Sequence, residues 1–276
     1  MFLECSTIFR NSMARARKFS PGNDASVVIA DEGGLRSLHI GGLAIQSAMR
    51  VAAPDRLALH YTQAMMAFLL FKPQPEDILM VGLGGGSIAK FVHRRLPATR
   101  MKVVELRPEV VRASRAWFDL PPDDGRLSVV VEDGAKYLPG HPGSADVLLI
   151  DGFDDGEQPA VLCSRKFYAS AFEALRPGGL MVVNFMADDP KLETFMERIQ
   201  AGFGAAPLRL PAADGVNMIA IAFCDGPTRV AWKTLRGRAA ALSGVFDLPF
   251  SRFVSSLKRL NPGSAQYLAL TMRARS

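Results

Sequence analysis

The spacing of apolar residues changes character near residue 78. Upstream, Ser26-Val-Val-Ile-Ala30 and the stretch from Leu35 to Gln46 are joined through Gly33-Gly34, a pattern that predicts a β-hairpin. Residues 55–71 predict a helix, with Asp55 after Pro54 placed to cap its first turn. Downstream, short continuous apolar runs predict strands at Ile78–Val81, Met101–Val104, Leu127–Val131, Asp146–Ile150 and Leu180–Asn184. Helices are predicted over Ser87–Leu96, Pro108–Trp117 and a segment ending at Arg176-Pro-Gly-Gly179. Val216–Phe223 predicts a later strand, and residues 228–260 predict helices with Arg and Lys on one side and Leu, Val and Phe on the other. Uninterrupted apolar strands alternating with helices need cover on both faces. The expected fold is therefore α/β: a doubly wound, mostly parallel sheet with a small N-terminal β-hairpin region and a helical C-terminal tail.

Composition narrows this little. A chain of 276 residues, 49% apolar and 22% charged, has enough apolar side chains for a core and is not globally disordered. Its longest dense apolar run, Ala64–Phe71, is far short of a bilayer span, which predicts no membrane partner. No apolar stretch of a secretory signal precedes it, and Cys5, Cys163 and Cys224 have no metal or redox spacing. Together these predict a reducing, cytoplasmic compartment. His39, His60, His93 and His141 are equally scattered, so no metal is expected. The net charge of +6 sits at the ends: residues 1–20 carry +3, residues 225–276 carry +7, and the stretch between is acidic. The basic ends lack the aromatic interleaving of a nucleic-acid module and are read as solvated faces, with no nucleic-acid partner.

In open α/β sheets ligands bind beyond the carboxyl ends of the strands, so the residues there are the ones to inspect. After the first strand comes Gly82-Leu-Gly84-Gly-Gly86-Ser87. Such a loop lets a ligand approach backbone N–H groups at a helix start. A G-x-G-x-x-G pattern would need glycine at Ser87, and the Lys-Ser/Thr pair of a P-loop is absent. Glu105, 23 residues past Gly82, is placed to accept two hydrogen bonds from a ribose diol; the alternative is a solvated loop acid. Asp133, in Glu132-Asp-Gly134, suits either an adenine amino group or a helix N-cap, and the two roles can coexist. Asp151, Asp154 and Asp155 follow the fourth strand, where like charges repel and a cationic ligand would relieve the cost.

In this order the motifs resemble the spermidine synthase (polyamine aminopropyltransferase) family, over roughly residues 35–223. Tyr61-Thr-Gln-Ala-Met-Met-Ala-Phe-Leu-Leu-Phe71 is similar to its Tyr-His/Gln-Glu-Met segment, and Pro73-Gln-Pro75 leads into the glycine loop as in the family. Val104-Glu-Leu-Arg-Pro-Glu-Val-Val111 resembles Val-Glu-Ile-Asp-Pro-x-Val-Val, Glu132-Asp-Gly134 a Gly-Asp-Gly/Ala element, and Asp151-Gly-Phe-Asp154 the Asp-Ser-x-Asp signature. Phe167-Tyr168 before Leu175-Arg-Pro-Gly-Gly179 resembles the helix before strand five. The resemblance implies a Rossmann-like, methyltransferase-type sheet and aminopropyl transfer from decarboxylated S-adenosylmethionine to an amine such as putrescine. It implies Asp151 as general base, Asp154 and Tyr61 at the acceptor, and Gln46, Gly82, Gly84, Gly86, Glu105, Asp133 and Gly134 at the donor. It also implies a homodimer. The chain then divides into a basic extension over 1–20, a β region over 21–54, a nucleoside-binding catalytic domain over 55–225 and a basic helical tail over 226–276.

Four features depart from the family, the first being Thr62 in place of its His or Gln. The Asp of its Gly-Gly-Gly-Asp-Gly loop is Gly85, the Glu of its Tyr-His-Glu-Met is Gln63, and Pro211-Ala-Ala-Asp-Gly-Val-Asn217 lacks its acceptor-site tyrosine, although Asp214 can reach that region. The Asp pairs with the donor's amine in the family, so Gly85 removes a reason to prefer the decarboxylated donor. Two other functions stay open: a methyltransferase using intact S-adenosylmethionine, and a non-catalytic nucleoside-binding relative.

Overall fold

In a computed structural model of the chain, residues 17–18, 27–40, 45–153 and 158–270 are described. Most of the predicted 1–20 extension lies outside them, as do Cys5, Asp154 and Asp155.

The N-terminal region is a four-stranded antiparallel sheet of β1 (Arg17–Lys18), β2 (Val27–Glu32), β3 (Leu35–Ile40) and β4 (Ser47–Arg50). β2 and β3 form the predicted hairpin, with Glu32 opposite Leu35. Its two-residue turn places Gly33 and Gly34 at φ 56° and 77°, the left-handed pair that a twisted hairpin favours. Arg36 fixes this sheet to the rest of the chain by donating to the Trp117 carbonyl at 2.7 Å.

The predicted helix over 55–71 begins later. Helix α1 spans His60–Met65 and tightens into a 3-10 helix over Met66–Leu70. Asp55 is not its cap. Residues 50–56 fold into tight turns through Ala53 N–H to Arg50 C=O and Arg56 N–H to Ala53 C=O. Leu59 is the non-helical residue before the first turn, and its carbonyl accepts the Thr62 hydroxyl.

Seven strands form the central sheet in the order β10-β11-β9-β8-β5-β6-β7. β5 (Asp77–Val81), β6 (Arg100–Glu105), β7 (Leu127–Val131), β8 (Ala145–Ile150) and β9 (Leu175–Met186) run parallel. β10 (Leu208–Pro211) and β11 (Asn217–Phe223) complete it antiparallel. Helices α2 (Ser87–Arg95), α3 (Pro108–Trp117), α4 (Gly134–Tyr137), α5 (Arg165–Ala174) and α6 (Leu192–Phe203) make the crossovers. The chain moves outward from β5 to β6 and β7, then returns to β8 on the other side of β5. That reversal opens a crevice at the carboxyl ends of β5 and β8.

The predicted helix end at Arg176 needs correction. Helix α5 stops at Ala174, and Arg176-Pro-Gly-Gly179 belongs to β9. A residue before proline is driven out of the helical region. Arg176 instead pairs with Asp77 at 2.7 Å, and the glycines exchange backbone hydrogen bonds with Cys224. A Cβ on Gly179 would stand 2.8 Å from the Arg176 carbonyl and 2.9 Å from that of Asp146, so the crossing requires glycine.

Two helices end the chain, α7 (Trp232–Phe246) and α8 (Phe250–Leu260), bracketed by β12 (Arg229–Ala231) and β13 (Tyr267–Ala269), a small ladder the sequence pattern did not indicate. Trp232, Leu235, Phe250 and Leu257 enter the same core as Phe68, Val182 and Ile219. Among the described residues no helix is long and apolar enough to cross a membrane. Trp232 is 2% exposed. Trp232→Ala is therefore expected to lower the free energy of unfolding by about 3–5 kcal/mol. Urea titration checks this, and a loss below 1 kcal/mol would show that the segment packs only loosely.

Candidate active site

Register brings the strand tips together. Val81 is opposite Val104 and Ile150, and Ile150 is opposite Val183. Gly82, Glu105, Asp151 and Asn184, each near a strand end, thereby converge. Gly82, Glu105 and Asp151 open into a cleft of about 1110 Å³, counted with its mouth, and Asn184 reaches it only through Asp151. Gln46, Tyr61, Gly82, Gly84, Glu105, Asp133, Gly134 and Asp151 all line it. Gly86 does not; it is the left-handed residue, φ 69°, that starts α2.

The end of the cleft at β6 suits a nucleoside. Glu105 is not a solvated loop acid: it is 8% exposed. Its Oε2 accepts the Leu83 N–H at 2.8 Å and its Oε1 accepts the Arg107 N–H at 2.9 Å. Burial raises its pKa, and the backbone donors oppose that rise. Each oxygen keeps a further lone pair, the requirement for holding two hydroxyls of a diol. Asp133 caps α4 by accepting the Ala135 N–H at 2.9 Å, which is the N-cap reading, and it also lines the cleft. Gly82 has φ 94°, and a Cβ there would lie 2.2 Å from the Asp151 carbonyl. The turn between the two strand tips is that tight.

Asp151 occupies the tip of β8. Asn184 Nδ2 donates to its Oδ1 at 2.9 Å, and the Tyr61 hydroxyl, which donates to the Gln46 carbonyl at 3.4 Å, lies close enough to the same carboxylate to lower its pKa. Burial pushes the Asp151 pKa up to about 6, with Asn184 and Tyr61 pulling against it. Burial, and then the neighbouring Asp151 charge, raises Tyr61 well above its ordinary value, so Tyr61 stays a neutral donor. Asn184 was missed from sequence. It ends the apolar run Met181-Val-Val183, and inspecting every strand end would have found it.

The departures have structural reasons. A Cβ on Gly85 would stand 2.8 Å from the Phe118 ring and 2.9 Å from Ser47 Oγ, and Phe118 is fully buried. The space for a side chain at position 85 is taken by the core. Gln63 serves the backbone, donating to the Leu57 carbonyl at 2.8 Å. Asp214 pairs with His60 Nδ1 at 3.1 Å, beside Tyr61 but outside the cleft lining.

The geometry thus defines an α/β fold with a glycine loop after β5 and acids at the tips of β6, β7 and β8, facing one cleft. Comparison with known proteins narrows it. Residues 59–200 match the model of the spermine/spermidine synthase domain. A polyamine aminopropyltransferase of Chromobacterium violaceum is 38% identical over 256 residues, covering 92% of this chain and 98% of the relative. The chain belongs to the spermine/spermidine synthase family. Among solved structures, a probable spermidine synthase from Corynebacterium glutamicum superposes with a TM-score of 0.68 at 21% identity, covering 90% of this chain and 97% of that one. Human methyltransferase-like protein 13, in complex with SAH, gives 0.58 at 27% identity over 69% of this chain and 92% of its own.

Gly85→Asp is expected to destabilise the protein by about 1–3 kcal/mol, because the added carboxylate overpacks against Phe118. The denaturation midpoint checks this: it should fall with an unchanged slope, and an unchanged midpoint would mean that Phe118 yields freely.

Proposed function

We propose that the cleft transfers an aminopropyl group from decarboxylated S-adenosylmethionine to a small amine, with Asp151 as general base. The observation that supports this most is Asp151 itself. It is a carboxylate partly withdrawn from water, oriented by Tyr61 and Asn184, in the same cleft as Glu105 and Asp133. In this reading Glu105 holds the ribose hydroxyls, Asp133 and Gly134 face the adenine, and Gly82 and Gly84 leave room for the thioether side of the nucleoside. Gln46 lies on the donor side, Tyr61 borders the acceptor path, and Asp154, outside the described residues, is assigned to the acceptor through the family signature. The polyamine aminopropyltransferase of Chromobacterium violaceum supports the reaction class.

The amine lone pair attacks the carbon beside the sulfonium. The carbon–sulfur bond breaks with its electrons going to sulfur, releasing methylthioadenosine, and the nitrogen gives a proton to Asp151. The attacking amine must be neutral, which costs about 4–5 kcal/mol at pH 7 for an amine of pKa ~10.4. A carboxylate of raised pKa is a stronger base than a solvated one and is still mostly ionised at pH 7.

Methyl transfer from intact S-adenosylmethionine is the second reading, favoured by the likeness to human methyltransferase-like protein 13 and by the neutral Gly85. One assay separates them. Purified protein is incubated with either donor and a set of amines. Methylthioadenosine supports aminopropyl transfer, S-adenosylhomocysteine supports methyl transfer, and tight nucleoside binding with neither product supports a non-catalytic role.

Asp151→Asn is expected to lower kcat by about 10²–10⁴-fold. Since Asp151 must be ionised to act, kcat/KM should rise with pH through a midpoint near 6. Asn184→Ala should move that midpoint upward, because Asn184 lowers the Asp151 pKa. The stability effect has the opposite sign. A folded pKa above the unfolded one makes the native state the better proton binder between about pH 4 and 6, so stability falls as pH rises through that window. Asp151→Asn should therefore unfold at a higher temperature than wild type at pH 7. A less stable variant would show that the carboxylate is not desolvated.

A further inference from the structure

Lys90 is the one lysine on the chain that is fully buried among the described residues, at 0% exposure, and the chemistry above does not use it. It lies one turn into α2, directly after the glycine loop, and its N–H donates to the Gly86 carbonyl. Its Nζ donates to the Phe118 carbonyl at 2.5 Å and to Met49 Sδ at 3.0 Å. Neither partner lines the cleft, but both pack behind it, against the glycine loop and the strand that carries Ser47. Phe118 ends α3, and its ring is the group nearest a Cβ at Gly85. Met49 stands two residues from Ser47 on β4, and Ser47 lies against Gly84 and Gly85. Ser87 Oγ donates to the Ala48 carbonyl at 3.2 Å, a second tie between α2 and β4. Asp119, next to Phe118, is held at φ 53°, a left-handed conformation that costs a residue other than glycine energy.

A buried ammonium with one carbonyl and one thioether is an expensive way to fill a core, since an apolar side chain of the same size is often as stable or more so. We propose that Lys90 is a positioning residue for the nucleoside end of the cleft, its ammonium clamping the glycine-loop helix to the N-terminal sheet and to the end of α3. This rests on the nucleoside-binding reading above. The charged groups that face it are Arg94 on its own helix, Asp119 beyond α3 and Asp55 in the turn after β4. Burial lowers the Lys90 pKa to about 8, with Asp119 and Asp55 opposing and Arg94 assisting. Charge roughly doubles the strength of a hydrogen bond, so the clamp loosens as the amine loses its proton.

Two readouts then move in opposite directions between pH 7 and 9.5. Methylthioadenosine affinity, measured by calorimetry, should fall severalfold in wild type. Adenine titrates far below this range, Asp151 near 6 is already ionised, and Tyr61 lies well above it. Stability should change the other way. A lysine whose folded pKa is below its unfolded one penalises the fold at low pH, and that penalty fades as pH rises through about 8 to 10.5. Cys163 and Cys224 also titrate above this range, each raised to about 11 by burial, so the stability readout is the difference between wild type and Lys90→Met.

Lys90→Met keeps the volume and removes the charge. It is expected to bind methylthioadenosine about tenfold more weakly at pH 7, a cost in line with slight misplacement of a binding wall. Its KM for the nucleoside donor should rise, its KM for the amine should stay within twofold, and its affinity should be flat from pH 7 to 9.5. Lys90→Arg should recover part of the affinity. Equal affinity of wild type and Lys90→Met, or a parallel rise in the amine KM, overturns the proposal. If Lys90→Met does not fold, Met49→Leu and wild type decide: affinity lowered in Met49→Leu and falling with pH in both supports the clamp, and a pH-independent wild type refutes it. A wild type that binds no methylthioadenosine overturns the nucleoside reading itself, whereas one that binds it equally with and without Lys90 overturns only this role.

Discussion

Taking a carboxylate out of water favours its protonated form, and the cleft is built around holding two carboxylates against that tendency. Glu105 is held by two backbone N–H groups, donors that cannot swing away. Asp151 is held by the side chains of Asn184 and Tyr61, which oppose the rise in pKa without cancelling it. The difference suits the tasks proposed for them, Glu105 as ribose ligand and Asp151 as general base. A ribose ligand must remain a fixed acceptor, whereas a base must be able to take up a proton. The parallel register supplies both settings, because Val81, Val104 and Ile150 stand side by side and release their successors into one crevice, with Asn184 after Val183 reaching Asp151 from the next strand.

The remaining wall comes from outside the parallel sheet. β4 sets Ser47 against the glycine loop, α1 sets Tyr61 over Asp151, and buried Lys90 joins β4 to α2 and α3. Close contact leaves little tolerance there: Gly82 faces the Asp151 carbonyl, Gly85 faces Phe118, and Gly134 faces Val81 with 2.5 Å to a Cβ. The glycines of this loop serve the packing of the protein against itself as much as the approach of a ligand. That explains why position 85 holds no acid: the site of its side chain is part of the core.

The parallel strands were legible because each is a short apolar run with a polar or glycine residue at its end, and α3 spans the residues its proline and periodicity indicate. Glu105, Asp133 and Asp151 were legible for the same reason: strand ends are positions that a sequence displays. What was not legible depends on long-range partners. Asp55 looked like a cap, yet the turns between residues 50 and 56 and the burial of Leu57 delay α1 to His60. The short pair β12 and β13 is set by contact between segments more than thirty residues apart. Lys90 has no local signature, since it acts through a carbonyl and a thioether on two other elements, and Asn184, though it closes an apolar run, shows what it does only through Asp151 on the neighbouring strand.

The central claim is that Asp151 is a desolvated base, ionised at neutral pH but with its pKa raised. The direct measurement is the carboxyl titration of protein labelled with 13C in its aspartate side chains, followed by NMR from pH 3 to 8, with Asp151→Asn identifying the resonance. The account predicts a midpoint close to 6. A midpoint at or below that of an ordinary solvated aspartate, about 3.9, would contradict it.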